Sequence, residues 1–299
     1  MLRRVRAEYR EEPCRSALNR VRGMPFAWSL NPYMGCAHRC TFCYVRAFEA
    51  RAERPWDDRY GASIRVKTNV ADVLRRELAR PSWQREPVAV GAATDPYQPA
   101  EGRYRLTRAC IEAFANAASP FAIITRGPLI VRDADVLADA SRRAKASVTF
   151  SVPTLDHEIW RRTEPGTAPP RQRLRALAQL VEAGIDARVG MAPILPGLSD
   201  RPELLADVVR EARAAGATGI WANLLYLRPG RVSTSSPRST ATGPSCSPGT
   251  SGSTGAAPIC PAARPTRCAN ACAGSPAATA SGTAAECASN RLPRPSSCK

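Results

Sequence analysis

Six short, mostly apolar runs alternating with amphipathic segments limit what this chain can fold into. The runs lie at 29–32, 88–92, 121–125, 147–152, 187–192 and 219–225. Helices are predicted between them and before the last run, at about 44–53, 70–80, 106–117, 132–143, 171–183 and 202–215. In the last helix, Leu204, Leu205, Val208, Val209 and Ala212 recur at three-to-four spacing and form one apolar stripe. Asp200-Arg-Pro202 is a start signal, a cap residue followed by an early proline. Gly184 and Gly216 stand where two of the helices should end. Strands alternating with helices argue for parallel βαβ units. Right-handed crossovers would curl six of them into an open barrel. Ligands of such sheets bind at the carboxyl ends of the strands.

The first run leads straight into Asn31-Pro-Tyr-Met-Gly-Cys-Ala-His-Arg-Cys-Thr-Phe-Cys-Tyr44. Cys36, Cys40 and Cys43 make a C-x3-C-x2-C pattern at the carboxyl end of the first strand. Three thiolates this close can hold three irons of a [4Fe–4S] cube and leave the fourth iron open. Zinc is the alternative metal, but it wants four ligands. His38 would have to be the fourth, from a position between two of the cysteines. A disulfide leaves one thiol over.

The spacing, with Phe42 before the last cysteine, resembles the radical S-adenosylmethionine (SAM) enzymes. Leu30-Asn-Pro-Tyr-Met-Gly-Cys36, His38 and Cys43-Tyr44 are similar to the spore photoproduct lyase-related branch of that superfamily. So are Ser63-Ile-Arg-Val-Lys-Thr-Asn69, Thr94-Asp-Pro-Tyr-Gln-Pro99 and Ile124-Thr-Arg-Gly127. The resemblance covers about residues 14–230 and implies a partial (β/α)6 TIM-like barrel. It implies a [4Fe–4S] cluster on Cys36, Cys40 and Cys43 whose open iron chelates SAM. The reduced cluster then cleaves SAM to methionine and a 5′-deoxyadenosyl radical. A flavodoxin- or ferredoxin-like electron donor is the partner implied. One departure stands out. The photoproduct lyases are expected to carry a donor cysteine after the second strand, where the match through Thr94-Asp95 places Ala92.

The resemblance also suggests SAM contacts. Thr94 or Asp95, at the end of the second strand, would accept from the SAM amino group; Asp95 would otherwise cap the turn at Pro96. Arg126, after the third strand, would pair with the SAM carboxylate, since its fork can bind both oxygens. Ser151, ending the fourth strand, would donate to the same carboxylate. Tyr44 flanks the cluster or packs, and Tyr97 and Gln98 are expected at the cavity mouth. Glu164-Pro-Gly166 resembles a branch loop over the SAM site. His157 is expected to begin a helix. Cys110, on an amphipathic helix, reads as a small buried hydrophobe.

Residues 1–29 read as a basic arm packed on the 30–230 core. Composition changes at 231–299, which hold no Phe, Tyr, Trp or Met and only Val232, Ile259 and Leu292 as large aliphatics. Such a segment cannot bury enough apolar surface to offset its ordering entropy, so disorder is expected. Its six cysteines form no recognisable ligand set. Joining each codon's third base to the first two of the next permits EHFLA over 232–237 and DWPELLPRYERLYGRGAYLP over 241–261. A frameshift near Arg231 therefore accounts for the composition change, the scattered cysteines and the lost apolar residues together; a genuine linker is the alternative.

Net charge is +17, and residues 1–230 carry 36 basic against 25 acidic side chains. A basic body attracts nucleic acid, so a non-catalytic nucleic-acid-binding protein with a structural metal is the rival reading. No apolar run approaches the ~20 residues of a membrane helix. Met1-Leu-Arg-Arg-Val-Arg6 has no apolar core behind it, which argues against a signal peptide. The cytoplasm is the expected location, where thiols stay reduced.

Overall fold

The computed structural model describes residues 7–225. The expectations of a disordered or frameshifted tail fall outside them. All six apolar runs form strands of one parallel sheet: β3 (Trp28–Leu30), β6 (Val88–Val90), β7 (Phe121–Thr125), β8 (Ala146–Ser151), β9 (Ala187–Ile194) and β10 (Ile220–Leu224). They lie side by side in chain order, and β2 (Leu18–Arg20) adds an antiparallel seventh strand beside β3. This is the open α/β barrel that the alternation predicts.

A second sheet was not legible as such. It has the order β1 (Glu8–Glu12), β5 (Ser63–Lys67), β4 (Tyr33–Met34), with β1 parallel and β4 antiparallel to β5. The described part of the arm, 7–29, is thus knitted into two sheets through β1 and β2.

The helices run α1 (Arg46–Arg51), α2 (Val70–Leu78), α3 (Pro99–Tyr104), α4 (Leu106–Asn116), α5 (Ala134–Arg143), α6 (His157–Thr163), α7 (Pro170–Glu182) and α8 (Pro202–Ala214). A 3-10 turn, Pro128–Asp133, leads into α5. Asp156 caps α6 by accepting from the Ile159 N–H at 2.8 Å, so His157 does open a helix. Gly184 and Gly216 take positive φ just past α7 and α8, as helix ends need. The start of α8 differs in detail. Arg201 is its cap residue, and the Asp200 carboxylate turns back to the Gly197 N–H at 2.9 Å.

The apolar faces of α2, α4, α5, α7 and α8 meet the sheet in one continuous core, from Leu30 and Leu74 through Phe114, Ile123 and Phe150 to Leu177, Val189 and Val208. Cys110 lies within it, as its apolar face requires. A parallel strand is ordinarily covered on both faces. β10 departs from this, with Ile220, Trp221 and Leu224 all exposed and Leu224 60% so.

Candidate functional site

Four carboxyl ends of adjacent strands converge on one loop. β3 and β4 deliver Gly35 and Cys36, β6 delivers Thr94 and Asp95, β7 delivers Arg126, and β8 ends at Ser151. Gly91 turns the chain after β6 with φ +90°, and a Cβ there would lie 2.5 Å from the Ile124 carbonyl and from Pro96. Only glycine lets β6 and β7 approach this closely.

Cys36, Cys40 and Cys43 are all free thiols; the first two are buried and the third half-buried. Their loop is held by backbone-directed bonds. The Gln98 side chain, 0% exposed, donates to the Gly35 carbonyl at 3.1 Å and accepts from the Ala37 N–H at 3.0 Å, so it grips both sides of Cys36. Arg46 donates through Nε to the Cys40 carbonyl at 3.2 Å and stacks on Tyr60, whose hydroxyl lies 3.7 Å from the Cys43 sulfur.

Asp95 is the joint of the site. Its Oδ1 accepts from the Tyr97 N–H at 2.8 Å and from Thr125 Oγ1 at 2.7 Å, and its Oδ2 from the Arg126 N–H at 2.6 Å. His38 Nδ1 lies 3.2 Å from Oδ2, close enough to pair by charge but off the line of a directed hydrogen bond. Burial alone would raise the Asp95 carboxyl. The neighbouring His38 charge and the hydrogen bonds from Thr125 and the Arg126 N–H outweigh it and bring the pKa to about 2. Burial alone would likewise lower His38, and the charges of Asp95 and Cys36 bring it up to about 10. The Cys36 thiol moves down: burial opposes its ionisation, but the His38 charge and hydrogen bond prevail. Cys40 and Cys43 move up, because burial dominates and Arg126 only partly relieves it.

Arg126 reaches over the loop. Its Nε lies 2.6 Å from Glu164 Oε1, its Nη2 donates to the Ala192 carbonyl at 3.3 Å, and its guanidinium sits 5.6 Å from the Phe42 ring centre. Behind it, Arg173 meets Glu164 Oε2 at 3.1 Å and donates to the Ser151 carbonyl at 2.8 Å. Thr94 donates from its hydroxyl to the Tyr33 carbonyl at 2.8 Å.

The structure therefore brings Cys36, Cys40, Cys43, Asp95 and Arg126 together, with Thr94 beside them and Ser151 joined through Arg173. Tyr44 is 53% exposed next to Cys43, and its hydroxyl donates to the carbonyl of Ala92, the residue standing in the expected donor position. Tyr97 is buried against Asp133 at 3.1 Å, and Gln98 serves the cysteine loop. Arg173 had no sequence signal. On an amphipathic helix an arginine reads as solvated, yet this one is 0% exposed.

The chemistry of the donors fits an iron–sulfur cube. Of the three unpaired thiols, Cys40 and Cys43 feel the charge of Arg126 and Cys36 that of His38, and Cys40 and Cys43 resist ionisation until a metal compensates for their burial. Among the described residues, no three His, Cys, Asp or Glu side chains are gathered for a single metal ion.

The Radical SAM superfamily profile matches residues 30–209. This chain belongs to the radical SAM superfamily. An uncharacterised protein of Mycobacterium tuberculosis strain H37Rv, Rv2578c, is 42% identical over 224 residues, 74% of this chain and 66% of the relative. This chain thus spans just under two thirds of that mycobacterial relative. A radical SAM Nalpha-GlyT isomerase of Pseudomonas phage M6 is 26% identical over 168 residues, 56% of this chain and 33% of the isomerase. Among solved structures, a spore photoproduct lyase mutant with bound AdoMet and dinucleoside spore photoproduct superposes with a TM-score of 0.58 at 16% identity, covering 74% of this chain and 63% of that one. The fold is that of spore photoproduct lyase, in agreement with the resemblance in the sequence. No described helix is long and apolar enough to cross a membrane.

Proposed function

We infer that this protein is a radical SAM enzyme whose Cys36, Cys40 and Cys43 hold a [4Fe–4S] cluster. The observation that carries the reading is the set of three free thiols on one C-x3-C-x2-C loop at the carboxyl ends of parallel strands, with Arg126 by Cys40 and Cys43. When bound and reduced, the cluster supplies the electron that cleaves SAM to methionine and a 5′-deoxyadenosyl radical.

The protein's own residues position and shield that chemistry. Arg126 has spent Nε and one donation of Nη2, and its remaining donors suit the SAM carboxylate. The Ser151 carbonyl is taken by Arg173, leaving its hydroxyl for the same carboxylate. Thr94 and Asp95 act from the end of β6, where the SAM amino group is expected. Thr94 donates its hydroxyl proton to the Tyr33 carbonyl, which leaves its oxygen to accept from that amino group; Asp95, engaged with His38, Thr125 and the Arg126 amide, shapes the pocket beside it. The electron donor is flavodoxin- or ferredoxin-like, and the location is cytoplasmic. The domain reading is an arm over 1–29, a core over 30–230 and a tail over 231–299. With Ala92 in the donor position, the route to photoproduct repair through a cysteine hydrogen donor there is missing.

The test is electron paramagnetic resonance of the reconstituted, dithionite-reduced protein. The reading expects a [4Fe–4S] signal that changes when SAM is added. A zinc-loaded protein with no such signal, binding nucleic acid in a strongly salt-dependent way, would instead establish the non-catalytic reading.

A further inference from the structure

We propose that the α6–α7 turn, residues 163–168, is a brace that fixes the three-cysteine loop, with Glu164 as the positioning residue that aims Arg126 at it; this rests on the reading of Cys36, Cys40 and Cys43 as cluster ligands. The turn grips the loop on both sides of Cys40. The Gly166 N–H donates to the His38 carbonyl at 3.0 Å, and the Thr41 N–H donates to the Thr163 carbonyl at 2.9 Å. The two bonds run in opposite directions and span the central cysteine. The Thr41 hydroxyl adds a third at 3.3 Å.

Gly166 is the contact point. A Cβ there would stand 2.5 Å from the Ala37 carbonyl oxygen and 2.7 Å from that of His38. Its φ lies outside the left-handed region, so alanine would be unwelcome for this contact and not for backbone strain. The residue has to be glycine because the cysteine loop lies against it.

Glu164, 1% exposed, extends the brace to Arg126 and Arg173. Arg173 is tied in turn to the Ser151 and Ala168 carbonyls, at 2.8 and 2.9 Å, and to Thr167 Oγ1 at 2.5 Å. A buried carboxylate between two arginines adds little stability, since desolvation offsets most of the attraction. What it adds is direction. Arg126 cannot swing away from Phe42 and Cys40 while Glu164 holds its Nε. The brace thereby joins β8, through Arg173 and Ser151, and β9, through Arg126 and Ala192, to the cluster loop, which it meets at Thr41 and Thr163, 122 residues apart in sequence.

The test compares reconstituted wild type, Gly166→Ala and Glu164→Asp, with Gly102→Ala as control. A Cβ at Gly102, on α3, would make only an ordinary van der Waals contact, with Leu129 at 3.9 Å, and none with the cysteine loop. Three properties are read: the melting temperature of the metal-free protein, the rate of iron loss to a chelator, and the resonance line shape of the reduced cluster. Outer residues that orient metal ligands ordinarily change metal affinity by about 10- to 100-fold. Gly166→Ala and Glu164→Asp should therefore lose iron about 10-fold faster or more and show altered line shapes, while Gly102→Ala matches wild type. A merely structural turn would lower the melting temperature without touching the line shape, and that result overturns the proposal. So do wild-type iron loss and line shape in both variants.

Hydrogen exchange on the wild type needs no variant to fold. Loading the cluster should slow the Thr41 and Gly166 amides together; unchanged exchange at both overturns the brace. If wild type takes up four irons but both variants match it and the two amides exchange unchanged, only this proposal falls. If wild type takes up none, the cluster reading falls with it.

Discussion

The backbone N–H of Arg126 donates to Asp95 Oδ2 at 2.6 Å, and through that bond the end of β7 is fastened to the end of β6. The same carboxylate faces His38 in the cysteine loop at 3.2 Å. One buried side chain therefore joins two strands of the barrel to the loop that carries the thiols.

Removing it should be costly. Asp95→Ala leaves His38 buried without its countercharge and strips Thr125 and the Arg126 and Tyr97 amides of their acceptor. Loss of one partner from a buried pair costs about 3–5 kcal/mol. Urea denaturation of the metal-free protein checks this, and a loss below about 1 kcal/mol, as for an exposed pair, would remove Asp95 from its place as the joint.

The sheet should be unevenly sensitive. Phe150 is fully buried on β8, and Phe150→Ala should cost about 3–5 kcal/mol. Leu224 on β10 is largely exposed, and Leu224→Ala should stay within about 0.5 kcal/mol. Equal losses at the two positions would show that something covers β10 in solution.

The barrel was legible because short apolar segments such as Val88–Val90, Phe121–Thr125 and Ala187–Ile194 alternate with amphipathic ones, the pattern that burial in a parallel sheet demands. The second sheet was not. β1 reads Glu-Tyr-Arg-Glu-Glu and pairs through its backbone alone, and β4 is two residues long. In β5, Ile64 and Val66 alternate with polar residues, but the segment stood out as a likeness to a family and not as a strand. The three thiols were legible because their spacing is local. Glu164 showed only as part of a family-like loop and Arg173 not at all, since what defines them is contact with Arg126 and Ser151 across the fold. In the sequence His38 reads as a possible fourth zinc ligand and as part of the family likeness; its pairing with Asp95, from the end of β6, shows only in three dimensions.

Photoproduct repair is expected to fail. Reduced protein incubated with SAM and dinucleotide spore photoproduct should accumulate 5′-deoxyadenosine and leave the photoproduct unchanged, because Ala92 offers no thiol hydrogen. Clean conversion to two thymines would refute that use of Ala92.

The tail carries a genetic prediction. Resequencing codons 228–233 should reveal a frame error, after which the downstream codons encode the aromatic and leucine-rich peptide permitted over 241–261. An unbroken read in the present frame, with no coding sequence in the shifted one, would make 231–299 a genuine extension.

The central claim is that Cys36, Cys40 and Cys43 hold a cluster that cleaves SAM. Its most direct test is iron content and 5′-deoxyadenosine formation after anaerobic reconstitution, in wild type and in each cysteine-to-alanine variant. Wild type should bind about four irons per chain and absorb broadly near about 400 nm. It should release 5′-deoxyadenosine from SAM under dithionite. Each of Cys36→Ala, Cys40→Ala and Cys43→Ala should lose both properties, while Cys14→Ala and Cys110→Ala keep them. Undiminished iron and turnover in any of the three loop variants, or a wild type that binds iron without cleaving SAM, would contradict the account.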